Sequence, residues 1–308
     1  MTPDPARQWR RACSLIVGAD AGQGLDLEGL RITFATHKGD IETPNSATIS
    51  VYNLAPATAS RIGGEFSRVI LSAGYEGAMG TLFDGQIRQV RRGRENGTDS
   101  WLEITAADGD RAYNHAVVSR TLAAGARPAD QVGVAMGAFA VHGARPGHVG
   151  DLGGQPLPRG KVLYGMARDV MRLVAEDREA SWSIQDGQVQ MVPLRGYLPG
   201  EAVVLTHETG LLDAPEQTDQ GIKLRCLLNP RLRIGGRVRL DNASILRART
   251  DLKVAAFDRA APLDSDGFYR IIRADHTGDT HGQDWFTDLL CIAIDDTMRI
   301  PVDQLGRR

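Results

Sequence analysis

A chain of 308 residues with 42% apolar and 24% charged side chains has an ordinary globular composition and can hold two or three domains with substantial cores. Its formal charge of −2 argues against a general nucleic-acid coat, which carries a basic surplus. No run approaches the roughly 20 apolar residues of a membrane-spanning helix, and Met1-Thr2-Pro3-Asp4-Pro5-Ala6-Arg7 lacks the basic-then-apolar layout of a signal peptide, so synthesis in a cytoplasm is expected.

The first third reads as closely spaced strands. Residues 13–17, 30–36 and 45–52 alternate apolar and polar side chains, the period of a sheet with one buried face. Residues 56–62 then predict a short helix with Pro56 in its first turn, where a missing N–H costs nothing. A strand over 69–75 follows, then a long hairpin over 84–104 turning at Glu95-Asn96-Gly97. The 35 glycines imply many tight turns, as a β-rich fold requires.

The middle changes character. From Pro128, the spacing of Val132, Met136 and Phe139 predicts one face of a helix, and residues 143–160 read as a loop or short connecting strands. A second helix is expected over 164–176, with Met166, Val170, Leu173 and Val174 on one side. Asp186-Gly187 between alternating runs predicts a hairpin over 182–192. Together these form a small α+β module.

From about Thr206 strands return, and the pattern of the first third is written again. Residues 47–54 and 64–71 find counterparts in 222–230 and 236–242. The hairpin from Gly85 through Trp101 has its counterpart in 268–294, whose turn falls in 276–282. Trp101 and Trp285 occupy matching places after the two turns. The stretch 244–266 has weak periodicity and is not assigned. The expected fold is mainly β with an α+β insert: two small sandwiches or barrels bridged by the central module.

The chemistry-bearing residues point away from catalysis. His276, Asp279 and His281 have ligand-type side chains at close spacing, but they sit with two glycines at a predicted hairpin tip, where polar residues belong in any case. Asp108-Gly109-Asp110 resembles the start of a calcium loop, yet the twelfth position is Ser119 rather than glutamate. Gly22-Gln23-Gly24 lacks the third glycine of a nucleotide-binding turn, and no nucleophile elbow, phosphate-binding loop or zinc-protease helix is present. Cys13, Cys226 and Cys291 lie in apolar runs without metal-type spacing and are expected in the core. No catalytic residue, metal or cofactor is expected. Arg88, Arg91, Arg92 and Arg94 line one arm of the first hairpin, as a solvated face or as a contact with an acidic partner or a passing nucleic-acid backbone, since guanidinium pairs with carboxylate and phosphate. The candidate interface residues are Arg88, Arg91, Arg92, Trp101, His276, Asp279, His281 and Trp285.

The succession of motifs resembles the baseplate hub proteins of contractile-tailed bacteriophages, the Mu-like and T4-like hub family related to the hub part of type VI secretion spikes. The resemblance is carried by Ser50-Val51-Tyr52-Asn53-Leu54, Ala73-Gly74-Tyr75 and Phe83-Asp84-Gly85-Gln86-Ile87. It continues through the 182–192 hairpin, Leu227-Leu228-Asn229-Pro230 with Gly235-Gly236, and residues 278–287. It implies two tail-tube-like β-barrel domains, over 1–112 and 207–308, joined by an α+β domain over 113–206. It further implies a homotrimer whose six barrels adapt a six-fold tail tube to a three-fold central spike in the virion baseplate. The partners so implied are the tail tube protein, a separate spike protein, other baseplate proteins and transiently passing DNA. The competing readings are the hub of a phage-like injection or secretion particle, a tail-associated cell-wall hydrolase, and a carbohydrate-binding module. The hydrolase needs paired carboxylates in a cleft, and the carbohydrate module needs clustered exposed aromatics, of which 6% aromatic content offers few.

Overall fold

The computed structural model describes residues 8–19, 24–95, 97–246 and 263–295; most of the unassigned 244–266 stretch, and Asn96 of the first hairpin turn, lie outside them. The first part of the chain forms β1 (Arg11–Gly18), β2 (Leu25–Asp26), β3 (Ile32–Gly39), β4 (Ser46–Tyr52), β5 (Arg68–Tyr75), β6 (Ala78–Arg94) and β7 (Ser100–Ala107). Helix α1 (Pro56–Gly64) lies between β4 and β5 and has Pro56 in its first turn. Alternate residues of these strands converge on one core. Leu15 and Val17, Ile32 and Phe34, Ala47, Ile49 and Val51, Val69 and Leu71, and Leu102 and Ile104 all belong to it. A period of two, clearest in β3, β4 and β7, gives the sheet one apolar face.

The middle comprises α2 (Asp110–His115), β8 (Val117–Leu122), α3 (Pro128–Val141), β9 (Arg145–Val149), β10 (Lys161–Met166), α4 (Ala167–Asp177), β11 (Ala180–Gln185) and β12 (Gln188–Pro193). Val132, Met136 and Phe139 of α3 are buried as their spacing predicts, with Trp182 stacked on Phe139. The expected helix over 164–176 is different. Its first three residues belong to β10, which pairs antiparallel with β8, and the helix begins only at Ala167. Gly165, at φ +128°, has no place in a helix. The buried face of α4 is Ala167, Val170, Met171 and Val174, and Leu173 is 61% exposed.

The last part forms β13 (Val203–Val204), β14 (Glu216–Gln217), β15 (Ile222–Leu227), β16 (Arg237–Arg239), β17 (Phe268–Asp279) and β18 (Trp285–Ala293) around a third core. The strand order repeats. In the first part β3-β4-β7-β6-β5 lie side by side, and in the last part β14-β15-β18-β17-β16 do. Each set therefore keeps its strands in the same order relative to the chain. The two sets share one 13-stranded sheet because β17 pairs with β3. Among the described residues no ladder closes either set into a barrel, so the observed fold is a continuous, mainly antiparallel sheet plus two small sheets. The reason lies in β17: beyond its pairing with β16 the strand runs on, and its free edge takes β3.

Candidate assembly surfaces

Buried polar groups fix the parts of the chain against one another. Arg270, on β17, is 1% exposed. Its guanidinium donates to the carbonyl oxygens of Pro193 (2.7 Å), Leu194 (3.0 Å) and Gly196 (3.1 Å), to Ser181 Oγ (2.8 Å) and to the buried carboxylate of Asp40. One side chain thus ties the last part to the turn after β3 and to the β11–β12 hairpin. A second cluster lies beside it. Lys38 Nζ donates to both carboxylate oxygens of Asp186, at 2.6 and 2.8 Å. Asp108 accepts from the backbone N–H groups of Asp186 (2.5 Å) and Gly187 (2.8 Å), which close the Asp-Gly turn with both φ angles positive. Burial, and secondarily the Asp186 carboxylate, push the Asp108 carboxyl up to about 7. Asn45 completes the contact through Ile184 O (2.9 Å) and Gln185 Oε1 (2.8 Å).

The first hairpin carries the basic side chains. The β6–β7 ladder shifts register between Ile87 and Gln89, opposite Ala106 and Thr105, so Arg88 is the extra residue of a bulge. Arg88 pairs with Asp110, and Arg91 lies 3.5 Å from Glu103. Arg92 and Arg94 are exposed. Arg88 and Arg92 rim a groove of about 520 Å³ between α1 and β6, floored by Ile62, Phe66, Ile87 and Val90. Trp101 is half-buried, and Gly93 opposite it has no room for a Cβ, which would lie 2.6 Å from the indole.

The second hairpin is turned inward. His276 is buried, its Nδ1 2.9 Å from Thr287 Oγ1, and burial, then the Lys38 charge, hold its imidazole down to about 3. Asp279 accepts from Arg31 at 2.8 Å, and this bond above all keeps its carboxyl below the usual range. Arg11 of β1 donates to the carbonyls of Gly282 (2.6 Å) and Gln283 (3.0 Å), so the tip docks on the first part of its own chain. His281 is exposed; its Nδ1 lies 2.9 Å from Thr280 Oγ1, and its backbone N–H donates to Asp279 at 2.8 Å. Trp285 is buried and meets Phe34 edge-on, at 5.5 Å between centroids. Among the described residues no three potential metal ligands converge.

The expectation that Trp101 and Trp285 match is corrected by the register. The β17–β18 ladder shifts between Ile271 and Arg273, opposite Cys291 and Leu290. Aligning the two bulges sets Trp101 against Phe286, with Trp285 one rung further on and facing the core. Sequence reasoning missed Arg270, Asp40, Ser181, Lys38 and Asp186. Only Arg270 carries a local signal, as a lone cation inside the apolar run Tyr269-Arg270-Ile271-Ile272.

No family model and no curated protein matches the sequence. Solved structures do match the fold. The 43 kDa tail protein of prophage MuSo2 from Shewanella oneidensis superposes with a TM-score of 0.58 at 8% identity, covering 94% of this chain and 100% of that one. A tail protein from Neisseria meningitidis MC58 gives 0.57 at 9% identity, with 92% and 96% covered. The c3393 protein of E. coli, a type VI secretion component described as structurally similar to the T4 tail proteins gp27 and gp5, gives 0.57 at 11% identity, with 94% and 80% covered. This chain therefore has the fold of phage tail proteins and of a type VI secretion component, the group its motif order resembles.

Proposed function

We propose that this protein is a structural baseplate hub of a contractile-tailed phage. In this reading three copies form a ring of six tube-like units, two per chain, over 1–112 and 207–308, with the 113–206 unit between them. Each five-stranded set would wrap into a barrel-like wall once its free edges meet neighbouring copies, since closure in a ring removes exposed edges. The ring would seat a six-fold tail tube protein on one face and a three-fold spike protein on the other, contact other baseplate proteins, and surround the path of the DNA. Its place would be the virion baseplate, after synthesis in the host cytoplasm.

The observation that carries the proposal is the repeated strand order within one chain. Doubling the unit lets three-fold stoichiometry present six similar faces. The likeness to tail proteins supports the same reading. The likeness to a type VI secretion component also favours a second reading, the hub of a phage-like injection or secretion particle. Of the candidate interface residues, Arg88, Arg91, Arg92 and Trp101 are assigned to contacts between copies, because the three arginines are exposed on the part of β6 that pairs only with β7 among the described residues, and Trp101 stands on β7 beside them. Light scattering on the purified chain tests the proposal. A species of about 100 kDa, three times 33.3 kDa, is expected at micromolar concentration, and a strictly monomeric chain overturns it.

A further inference from the structure

The join of β3 to β17 leaves one uninterrupted sheet face across both units. In the adjacent strands β15, β18, β17, β3, β4, β7 and β6, side chains that do not enter the cores share that face. Its middle is Thr33, Ala35, Thr48, Ser50, Thr105 and Thr277, each exposed or half-buried. Rungs set them side by side, with Thr277↔Ala35, Ala35↔Thr48 and Thr48↔Thr105 in one row and Thr33↔Ser50 in the next. This strip is small, uncharged and mostly hydroxylic. Its side chains include none of the aromatic or arginine anchors that dominate protein interfaces.

The charges bordering the strip are matched. Arg225 donates to Asp288 at 2.7 and 3.0 Å, and Arg31 to Asp279 at 2.8 Å. Arg273 donates to Asp275 at 2.8 Å, with His37 3.3 Å from the same carboxylate. Arg91 lies 3.5 Å from Glu103, and Lys223 shares a rung with Glu216. Two of these cations also cap aromatic rings: Arg225 stands 4.1 Å from the centroid of Phe286, and Arg31 4.6 Å from that of Tyr52. A nucleic acid is held through its phosphates by unpaired cations, and through its bases by open aromatic faces. Here the cations are turned to carboxylates and those rings are covered, so both means of attachment are already engaged.

We infer that this face is the wall of the DNA path, a lining that lets a charged polymer pass without holding it. Matched charge gives it little field of either sign. An unmatched basic wall would retain the phosphates, and an acidic one would oppose their entry. The hairpin cations that form no ion pair among the described residues, Arg92 and Arg94, are kept off the wall. They belong to the other side of β6, where Arg92 stands opposite the buried Leu102 and rims the α1 groove. The backbone is equally closed. Because β17 pairs with β3 from Arg273↔Gly39 to Asp279↔Thr33, no strand edge with open N–H and C=O groups interrupts the wall where the two units meet.

The inference rests on the ring reading, and its test separates the two. Thr48 is exposed at the centre of the strip, and the native chain, with Cys13 half-buried and Cys226 and Cys291 buried, serves as the blank. In trimers T48C should react with N-ethylmaleimide as fast as in dissociated chains, and should be shielded from a maleimide carried on a globular protein. The variant D275N/D288N frees Arg273 and Arg225 from their acids. It should retain duplex DNA at low salt where the native chain does not, with a log–log salt slope steeper by about two. If trimers form but T48C takes the bulky reagent freely, or is closed to the small one, the wall is misassigned and the ring survives. Native chains that bind duplex DNA as well as D275N/D288N would likewise overturn the inference. If native chains never exceed the mass of one, the ring reading itself falls, and the wall with it.

Discussion

Replacing Arg270 with methionine is the sharpest test of how the parts of the chain are held together. Methionine keeps most of the length and apolar stem but removes a guanidinium that serves five acceptors from three stretches of sequence. Both partners of the Arg270–Asp40 pair are 1% exposed at the side chain, so the substitution strands a carboxylate in the interior. Removing one member of such a buried pair costs about 3–5 kcal/mol. The three carbonyls left behind can only add to that cost, because an unsatisfied buried acceptor loses its solvation without return. The expected loss is a large part of the roughly 5–15 kcal/mol that stabilises a typical domain. Urea unfolding followed by both tryptophan fluorescence and far-ultraviolet circular dichroism measures it and shows whether the cores unfold together. The D40N/R270M double variant should lose about 0.5–3 kcal/mol less than the sum of its singles. A loss under about 1 kcal/mol for R270M, or simple additivity with D40N, would refute the assignment of Arg270 as the common tie.

Other consequences follow from the buried groups. The Asp108 carboxyl, raised from 3.8 to about 7, keeps a proton in the folded chain that the unfolded chain has released, so its contribution weakens stability as pH rises from about 4 to about 7. D108N should remove a slope of at most about 1.4 kcal/mol per pH unit, seen as a narrowing melting-temperature difference from the native chain; parallel curves would contradict this. His276 acts in the opposite sense. Lowered from 6.5 to about 3, it contributes fully above about 6.5 and loses that contribution as pH falls toward 3, so H276Q should show a shallower acid loss between those values. G93A sets a methyl against the Trp101 ring and should cost about 1–3 kcal/mol with a shift in indole emission. Unchanged emission and stability would show that Trp101 is free to move aside.

The sequence made the local elements legible where chemistry acts at short range. The Asp186-Gly187 turn needs two positive φ angles, Pro56 suits only a first helical turn, and Val132, Met136 and Phe139 share one helical face. The doubling of the strand pattern was visible because alternation recurs at similar spacing in both thirds. The start of α4 was misplaced because Met166, Val170 and Val174 keep a helical spacing across a strand boundary that only pairing with β8 reveals. The join of β3 to β17 was invisible for the same reason: edges pair over 230 residues apart with no local mark. The polar ties were equally hidden. Asp40, Ser181 and Arg270 are ordinary polar residues until the fold brings them together. The two hairpins read alike in sequence, yet one tip is gripped by Arg11 and Arg31 while the other arm stands free of any second strand among the described residues.

In the proposed ring one chain carries the same wall-forming unit twice, so that three chains would make six walls. Averaged electron-microscope images of the assembled protein, viewed down its axis, test this most directly. The account predicts a closed ring with six lobes of two alternating kinds and strict three-fold symmetry. A ring with three lobes, or an open chain of copies, would contradict it.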